Sequence, residues 1–270
     1  MTDLSISPAA RRLSPEQKKQ FEEWGYLTRL PLFAPAAVPT LQRRLHEFEA
    51  LLPEGIAISG LNMWHKANRW IHDLARTPAI LDYVEDLIGP DFYQWGGGFF
   101  VKYPGDGKVV PWHQDAQYWP LKPKKTVTVS VAFYDCTPAN GGMEVVRGSH
   151  KQGDMPHHTV DGDRYLLGQE LDPDQIDADR IAPLEALAGE ICLHDDTLAH
   201  GSGVNKSDGI RASLTMRFSP TQVKCDLGVW PTFESSMARG TDSHRHNPEA
   251  KVPGGDGFPV RSFQHSSEFD

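Results

Sequence analysis

Cysteine is scarce in this chain. Cys136, Cys192 and Cys225 are the only three, and no two of them form a Cys-x-x-Cys pair. That argues against a disulfide framework or a zinc ribbon, so the fold must rest on an apolar core. Basic residues are also in short supply. Lys and Arg number 27 against 36 Asp and Glu, giving a net charge of −9, and a nucleic-acid partner normally meets a basic face. No window approaches the ~20 apolar residues of a membrane span. The start, Met1-Thr2-Asp3-Leu4-Ser5, lacks the charged and apolar regions of a signal peptide. No internal repeat is visible. These absences leave a 270-residue chain, 39% hydrophobic, that suits one domain. A cytoplasmic enzyme acting on a small molecule is the simplest fit.

The pattern of what is present changes once along the chain. Ser14, Pro15 and Gln17 form a capping-box signature for a helix that should stop at Gly25. Leu41, Leu45, Phe48 and Leu52 recur at helical spacing before Pro53, and a third helix is expected from Pro78 to Gly89. From Phe92 onward the chain breaks into short apolar runs separated by Gly and Pro, Phe92–Trp95 and Phe99–Tyr103 first among them, as in an all-β sandwich or barrel. The expectation is a helical flank over 1–90 and a barrel core over 91–220. The core would carry a solvated insertion or lid at 151–183, and an irregular tail would cover 221–270. The paired His157 and His158 in the insertion, and His244-Arg245-His246 in the tail, lie in stretches with no element to fix them as a metal site.

The stretch with most chemistry is Pro111-Trp112-His113-Gln114-Asp115-Ala116-Gln117-Tyr118-Trp119. In an extended strand His113 and Asp115 point to the same face, about 7 Å apart. His200 supplies a third candidate ligand, and two histidines with one carboxylate form the facial triad of non-haem iron(II) oxygenases. His194, in Leu193-His194-Asp195-Asp196, competes for the third place. Arg211, eleven residues beyond His200, opens the strand-like run Arg211–Phe218 and suits a two-pronged grip on a carboxylate. Strand parity puts Gln117 and Trp119 on the face of His113 and Asp115, and Arg217 on that of Arg211. The run from Leu61 to Trp70 mixes aromatics with bases, so Asn62, Trp64, Lys66 and Arg69 are candidates for a substrate pocket.

Trp112-His113-Gln114-Asp115 with Trp119-Pro120, Thr137-Pro138-Ala139-Asn140-Gly141-Gly142, Val145-Val146-Arg147-Gly148-Ser149-His150, and His200-Gly201-Ser202-Gly203 with Arg211 together resemble the phytanoyl-CoA dioxygenase family. The resemblance runs over about residues 13 to 220. It implies a mainly β fold with flanking helices, a double-stranded β-helix of the jelly-roll, cupin-like kind. It also implies Fe(II), 2-oxoglutarate and O2, with His113, Asp115 and His200 on the metal and Arg211 and Ser202 on the 2-oxoglutarate carboxylate. The expected reaction is hydroxylation of a small polar or anionic metabolite, releasing succinate and carbon dioxide. Two positions depart from the family pattern: Arg147 stands where many members have Pro, and Ser130 where many have Trp. The rival readings are a zinc hydrolase on the same three ligands, which would not need Arg211, and a non-catalytic cupin-like binding protein. A halogenase would lack the carboxylate that Asp115 provides.

Overall fold

The computed structural model describes residues 4–259. Its first helix, α1 (Pro15–Trp24), begins where the side chains dictate. The Gln17 N–H donates to Ser14 Oγ at 3.2 Å, and the Ser14 N–H donates to Gln17 Oε1 at 2.9 Å. The helix stops at Gly25, whose φ is +82°. A Cβ there would lie 2.6 Å from His150 Nδ1 and 2.9 Å from Leu198 Cδ1, so backbone and packing both require glycine. Gly25→Ala should therefore destabilise by about 2 kcal/mol or more. A lower denaturant midpoint at unchanged slope would show it.

Four more helices follow: α2 (Val38–Ala50), α3 (Trp64–Ala67), α4 (Arg69–Leu74) and α5 (Pro78–Ile88). The strands are β1 (Tyr26–Pro31), β2 (Phe92–Lys102), β3 (Val110–His113), β4 (Leu121–Lys122), β5 (Val127–Ala132), β6 (Glu144–Val146) and β7 (His157–Thr159). They continue with β8 (Gln169–Leu171), β9 (Ile181–Pro183), β10 (Glu190–Asp195), β11 (His200–Ser202), β12 (Arg211–Pro220), β13 (Lys224–Cys225) and β14 (Ser236–Arg239). A six-stranded sheet has the order β1-β10-β5-β12-β2-β14, and a four-stranded sheet the order β3-β11-β6-β9. Both are antiparallel, and the fold is the expected jelly-roll barrel with flanking helices.

Alternation along the central strands explains how the barrel divides its surfaces. Val127, Val129 and Val131 of β5, with Leu214, Met216 and Phe218 of β12, pack with Leu41, Leu45, Ile80 and Val84 of the helices in one apolar core. Their neighbours must face the opposite way. Those neighbours are Thr128 and Ser130, and Arg211, Ser213, Thr215 and Arg217, all buried. Polar residues buried in the middle of strands thus mark the barrel interior.

Three expectations are corrected. The flank over 1–90 is not only helical, because β1 pairs with β10 at the sheet edge; six mixed residues are too few to show a period of two. Phe92–Trp95 and Phe99–Tyr103 are not separate strands, since Gly96, Gly97 and Gly98 continue β2 opposite β12. A Cβ on Gly96 would lie 3.0 Å from Arg217 Cδ, so its absence makes room for that buried arginine. Nor is the tail merely irregular. β14 pairs with β2 and covers an otherwise open edge. Gly255 O then accepts from Arg69 N–H, and Gly257 N–H donates to Ala67 O.

Candidate metal centre

His113 ends β3 and His200 opens β11, and the two are directly paired across that ladder, with ring centroids 4.1 Å apart. Asp115 follows on a 3₁₀ turn, Asp115–Gln117. One ligand atom from each of His113, Asp115 and His200 lies within 4.8 Å of the others, and all three residues are buried. His113 Nδ1 sits 2.8 Å from Pro111 O and His200 Nδ1 2.9 Å from Leu198 O. A carbonyl can only accept, so both Nδ1 atoms carry a proton, and Nε2 is the atom of each ring that a metal would take.

The carboxylate is prepared by a row of side chains crossing three strands. Arg217 on β12, Thr128 on β5 and His194 on β10 are register partners. Thr128 Oγ1 donates to Asp115 Oδ2 at 3.2 Å, Arg217 Nη2 lies 3.9 Å from Oδ1, and His194 Nε2 lies 3.5 Å from Oδ2. Burial pushes the Asp115 carboxyl up, but Arg217, His113 and His194 outweigh it and hold the carboxyl well below its usual range. Burial, with His113 and His194 beside it, keeps His200 well below the usual histidine range and so neutral. These are the protonation states a metal needs. His194 lies outside the cluster of mutually close ligand atoms, with its ring 4.7 Å from that of His200.

The centre opens into a cavity of about 1520 Å3. Arg211, Ser202, Trp119, Asn62 and Lys66 all line it, as does Ser130. Three other expected residues do not. The chain stays extended through Gln114 and turns at Asp115, so strand parity fails beyond that point and Gln117 is exposed. Trp64 is fully buried against Phe48 and Phe99 in the apolar core. Arg69 is exposed and pairs with Asp73 one helical turn on. In the 151–183 insertion, His157 accepts from Gln114 N–H and has its other nitrogen on Met155 O, a structural role. His158 pairs with Asp172 on the surface.

Several cavity residues have only weak signals in the sequence. Residues 159–163 and 165–168, from the end of β7 through the loop to β8, line the cavity, as do Trp230, Phe233 and Glu234 of the tail. Trp95 meets Trp119 edge to face at 4.5 Å, and Arg217 lies 5.0 Å over the Trp119 ring. Lys66 forms an ion pair with Glu234, joining α3 to the tail. Lys102 is fully buried beneath the cavity and holds Ser202. Its sequence signal was a charged residue at the end of the apolar run Phe99-Phe100-Val101.

Jelly-roll fold, buried His-Asp-His centre and adjacent arginine define a non-haem Fe(II)- and 2-oxoglutarate-dependent dioxygenase. The family model for phytanoyl-CoA dioxygenase matches residues 21–213. The chain belongs to that family. It is 27% identical over 258 residues to a peroxisomal phytanoyl-CoA dioxygenase of Mus musculus, covering 84% of this chain and 74% of that one. It is 25% identical over 240 residues to an ectoine dioxygenase of Bordetella parapertussis, covering 78% and 76%. Among solved structures, the apo form of the non-haem monooxygenase ThoJ superposes with a TM-score of 0.73 at 28% identity, covering 88% of this chain and 89% of that one. No helix among the described residues is long and apolar enough to cross a membrane.

Proposed function

We propose that this enzyme hydroxylates an unactivated C–H bond of a small polar metabolite bearing an anionic group. The observation that carries the reading is the shared cavity: His113, Asp115 and His200 line it together with Arg211 and Ser202. In this reading the three ligands hold Fe(II), and Arg211 with Ser202 receives the distal carboxylate of 2-oxoglutarate. Iron(II), 2-oxoglutarate and O2 together supply an oxidant that replaces C–H by C–OH, with succinate and carbon dioxide as co-products.

The chain's own residues do the rest. Pro111 O and Leu198 O fix the two imidazoles, and Arg217 and Thr128 keep Asp115 ionised and oriented. Trp95, Trp119, Trp230 and Phe233 give the cavity an aromatic wall that excludes water and offers contact area. Asn62 and Lys66 give it a polar one, with Lys66 passing from Glu234 to the substrate's anionic group. The volume exceeds the ~300–1,000 Å3 of common small-molecule pockets, so co-substrate and substrate fit side by side. Ser130 contributes to that room. The zinc-hydrolase reading leaves Arg211, buried and lining the cavity, without a purpose.

The test is iron- and oxygen-dependent succinate formation over a panel of anionic, zwitterionic and neutral metabolites. An anionic substrate should raise succinate output several-fold above the uncoupled background, and Lys66→Ala should raise its KM. Hydrolysis that persists with zinc and without oxygen would replace this reading. Efficient turnover of neutral substrates alone would remove the anionic group from it.

A further inference from the structure

Asn62 is held by its side-chain oxygen. β14 accompanies β2 only over residues 92–94, and further along β2 the connector before α3 supplies side chains to the strand. Ser59 Oγ accepts from Val101 N–H at 2.8 Å, and Asn62 Oδ1 accepts from Gly97 N–H at 3.2 Å. Oδ1 also accepts from Met63 N–H at 2.7 Å. A backbone N–H can only donate, so the amide has one orientation: its oxygen meets two donors, and both N–H bonds of Nδ2 are left over. Nδ2 finds no hydrogen-bond partner among the described residues and is not sealed from open space. Asn62 lines the cavity, to which it therefore offers donors and no acceptor.

The next residue is strained. Met63 has φ +63° and ψ +30°, the left-handed region that a residue with a Cβ avoids. Arg29 and Arg245 are the other non-glycine residues with positive φ among the described residues, and neither lines the cavity. The reversal at Met63 starts α3: Lys66 N–H donates to Met63 O at 2.9 Å, and Met63, Lys66 and Ala67 all line the cavity with Asn62. Strain retained in a cavity wall marks a constraint of function.

We propose that Asn62 is a specificity-determining residue: its amide nitrogen donates to the substrate's oxyanion beside the Lys66 ammonium and turns away a cationic group at that place. This rests on the proposed reading of an anionic substrate in this cavity, and adds to it the residue that sets the sign. Lys66 alone sets none, because its ion pair with Glu234 puts one charge of each kind on the wall. A fixed donor breaks that balance. A carboxylate or phosphonate oxygen finds the Nδ2 protons, whereas an ammonium meets only other donors, since Oδ1 is already taken twice. Discrimination of this kind is strong when the mismatched group leaves donors facing donors.

The experiment is anaerobic calorimetry on the metal-loaded enzyme saturated with 2-oxoglutarate, which keeps other carboxylates from Arg211. The probes are butyrate and butylamine, equal in chain length and opposite in charge. The unaltered enzyme should bind butyrate about tenfold or more tighter than butylamine. Asn62→Asp keeps an oxygen for the Gly97 and Met63 N–H groups, so the connector stays in place, and turns the free end of the side chain from donor to acceptor. It should weaken butyrate about tenfold or more, tighten butylamine, and leave 2-oxoglutarate within about twofold. Unchanged butyrate binding in Asn62→Asp would reduce Asn62 to a backbone cap and overturn the inference. So would equal weakening of butyrate and 2-oxoglutarate, the mark of a disturbed β2. Should Asn62→Asp fail to fold, the side-chain 15N resonance of Asn62 in the unaltered, zinc-loaded enzyme decides: a shift with butyrate and not with butylamine supports the inference, and a shift with both or neither overturns it. Lys66→Met separates the inference from the reading beneath it. If Lys66→Met loses the preference for butyrate and Asn62→Asp keeps it, the anionic substrate stands and the role of Asn62 falls. If the unaltered enzyme shows no preference, both fall together.

Discussion

His200→Ala should lose at least about a hundredfold in substrate-dependent succinate formation, because even the outer partners of metal ligands are worth 10–100-fold. The same loss is expected for His113→Ala and Asp115→Ala. Each removes one of three buried atoms that lie within 4.8 Å of one another, and no neighbour replaces it. Iron content after gel filtration should fall with activity, while far-ultraviolet circular dichroism stays close to that of the unaltered enzyme. The informative contrast is His194→Ala. His194 lies against both Asp115 and His200 but outside the cluster, so its loss should perturb metal affinity and leave measurable turnover. Full activity in His200→Ala together with none in His194→Ala would exchange their roles. Asp115→Gly should abolish hydroxylation even where added chloride partly restores iron binding.

The legibility of this site in the sequence was uneven, and the reasons are physical. His113, Asp115 and His200, which the fold brings together, and Arg211, which lines the same cavity, could be picked out because candidate ligands and strand-borne arginines stand out by residue type and spacing. Alternation along one extended strand accounts for His113 and Asp115 but not for the residues that follow. The chain stays extended through Gln114, which keeps Asp115 with His113, and folds into a 3₁₀ turn at Asp115, which carries Gln117 away. Trp119 reaches the cavity through that turn rather than through alternation. The run from Leu61 to Trp70 looked uniform in composition but is divided by helix geometry: α3 sends Lys66 to the cavity and Trp64 into the core, and α4 sends Arg69 to solvent. Local sequence does not state which side of a short helix faces the barrel. The contribution of Trp230, Phe233 and Glu234 depends on the tail returning over the barrel through β14, a long-range pairing with no local signature. Lys102 was hidden for a related reason. A charge ending an apolar strand reads as a surface residue until the partner strand places Arg211 beside it.

Arg211→Ala should raise the apparent constant for 2-oxoglutarate by a factor of about 30 to several thousand. Deleting one partner of a buried charge pair costs roughly 2–5 kcal/mol, and each 1.4 kcal/mol is about tenfold. Arg211 is 4% exposed, so water can replace little of what the guanidinium supplies to the carboxylate. The loss should fall on the co-substrate constant more than on turnover at saturating 2-oxoglutarate, since the metal ligands and the substrate wall are untouched. Ser202→Ala removes one hydrogen bond and should cost about 1 kcal/mol. Arg211→Lys should recover part of the affinity, because a lysine keeps the charge but cannot make the two-pronged contact. Arg217 offers the internal comparison. It shares a strand face with Arg211, but six residues along the strand place it about 20 Å away, beside Asp115 and over Trp119. Arg217→Met should therefore weaken metal retention and leave the relative affinity for 2-oxoglutarate over 2-oxopentanoate, which lacks the distal carboxylate, unchanged. Anaerobic titration of Fe(II)-loaded enzyme with 2-oxoglutarate, followed by its visible charge-transfer band, measures all four variants on one scale. Unchanged affinity in Arg211→Ala would move the carboxylate to another cation of the cavity and leave the buried arginine with a purely structural role.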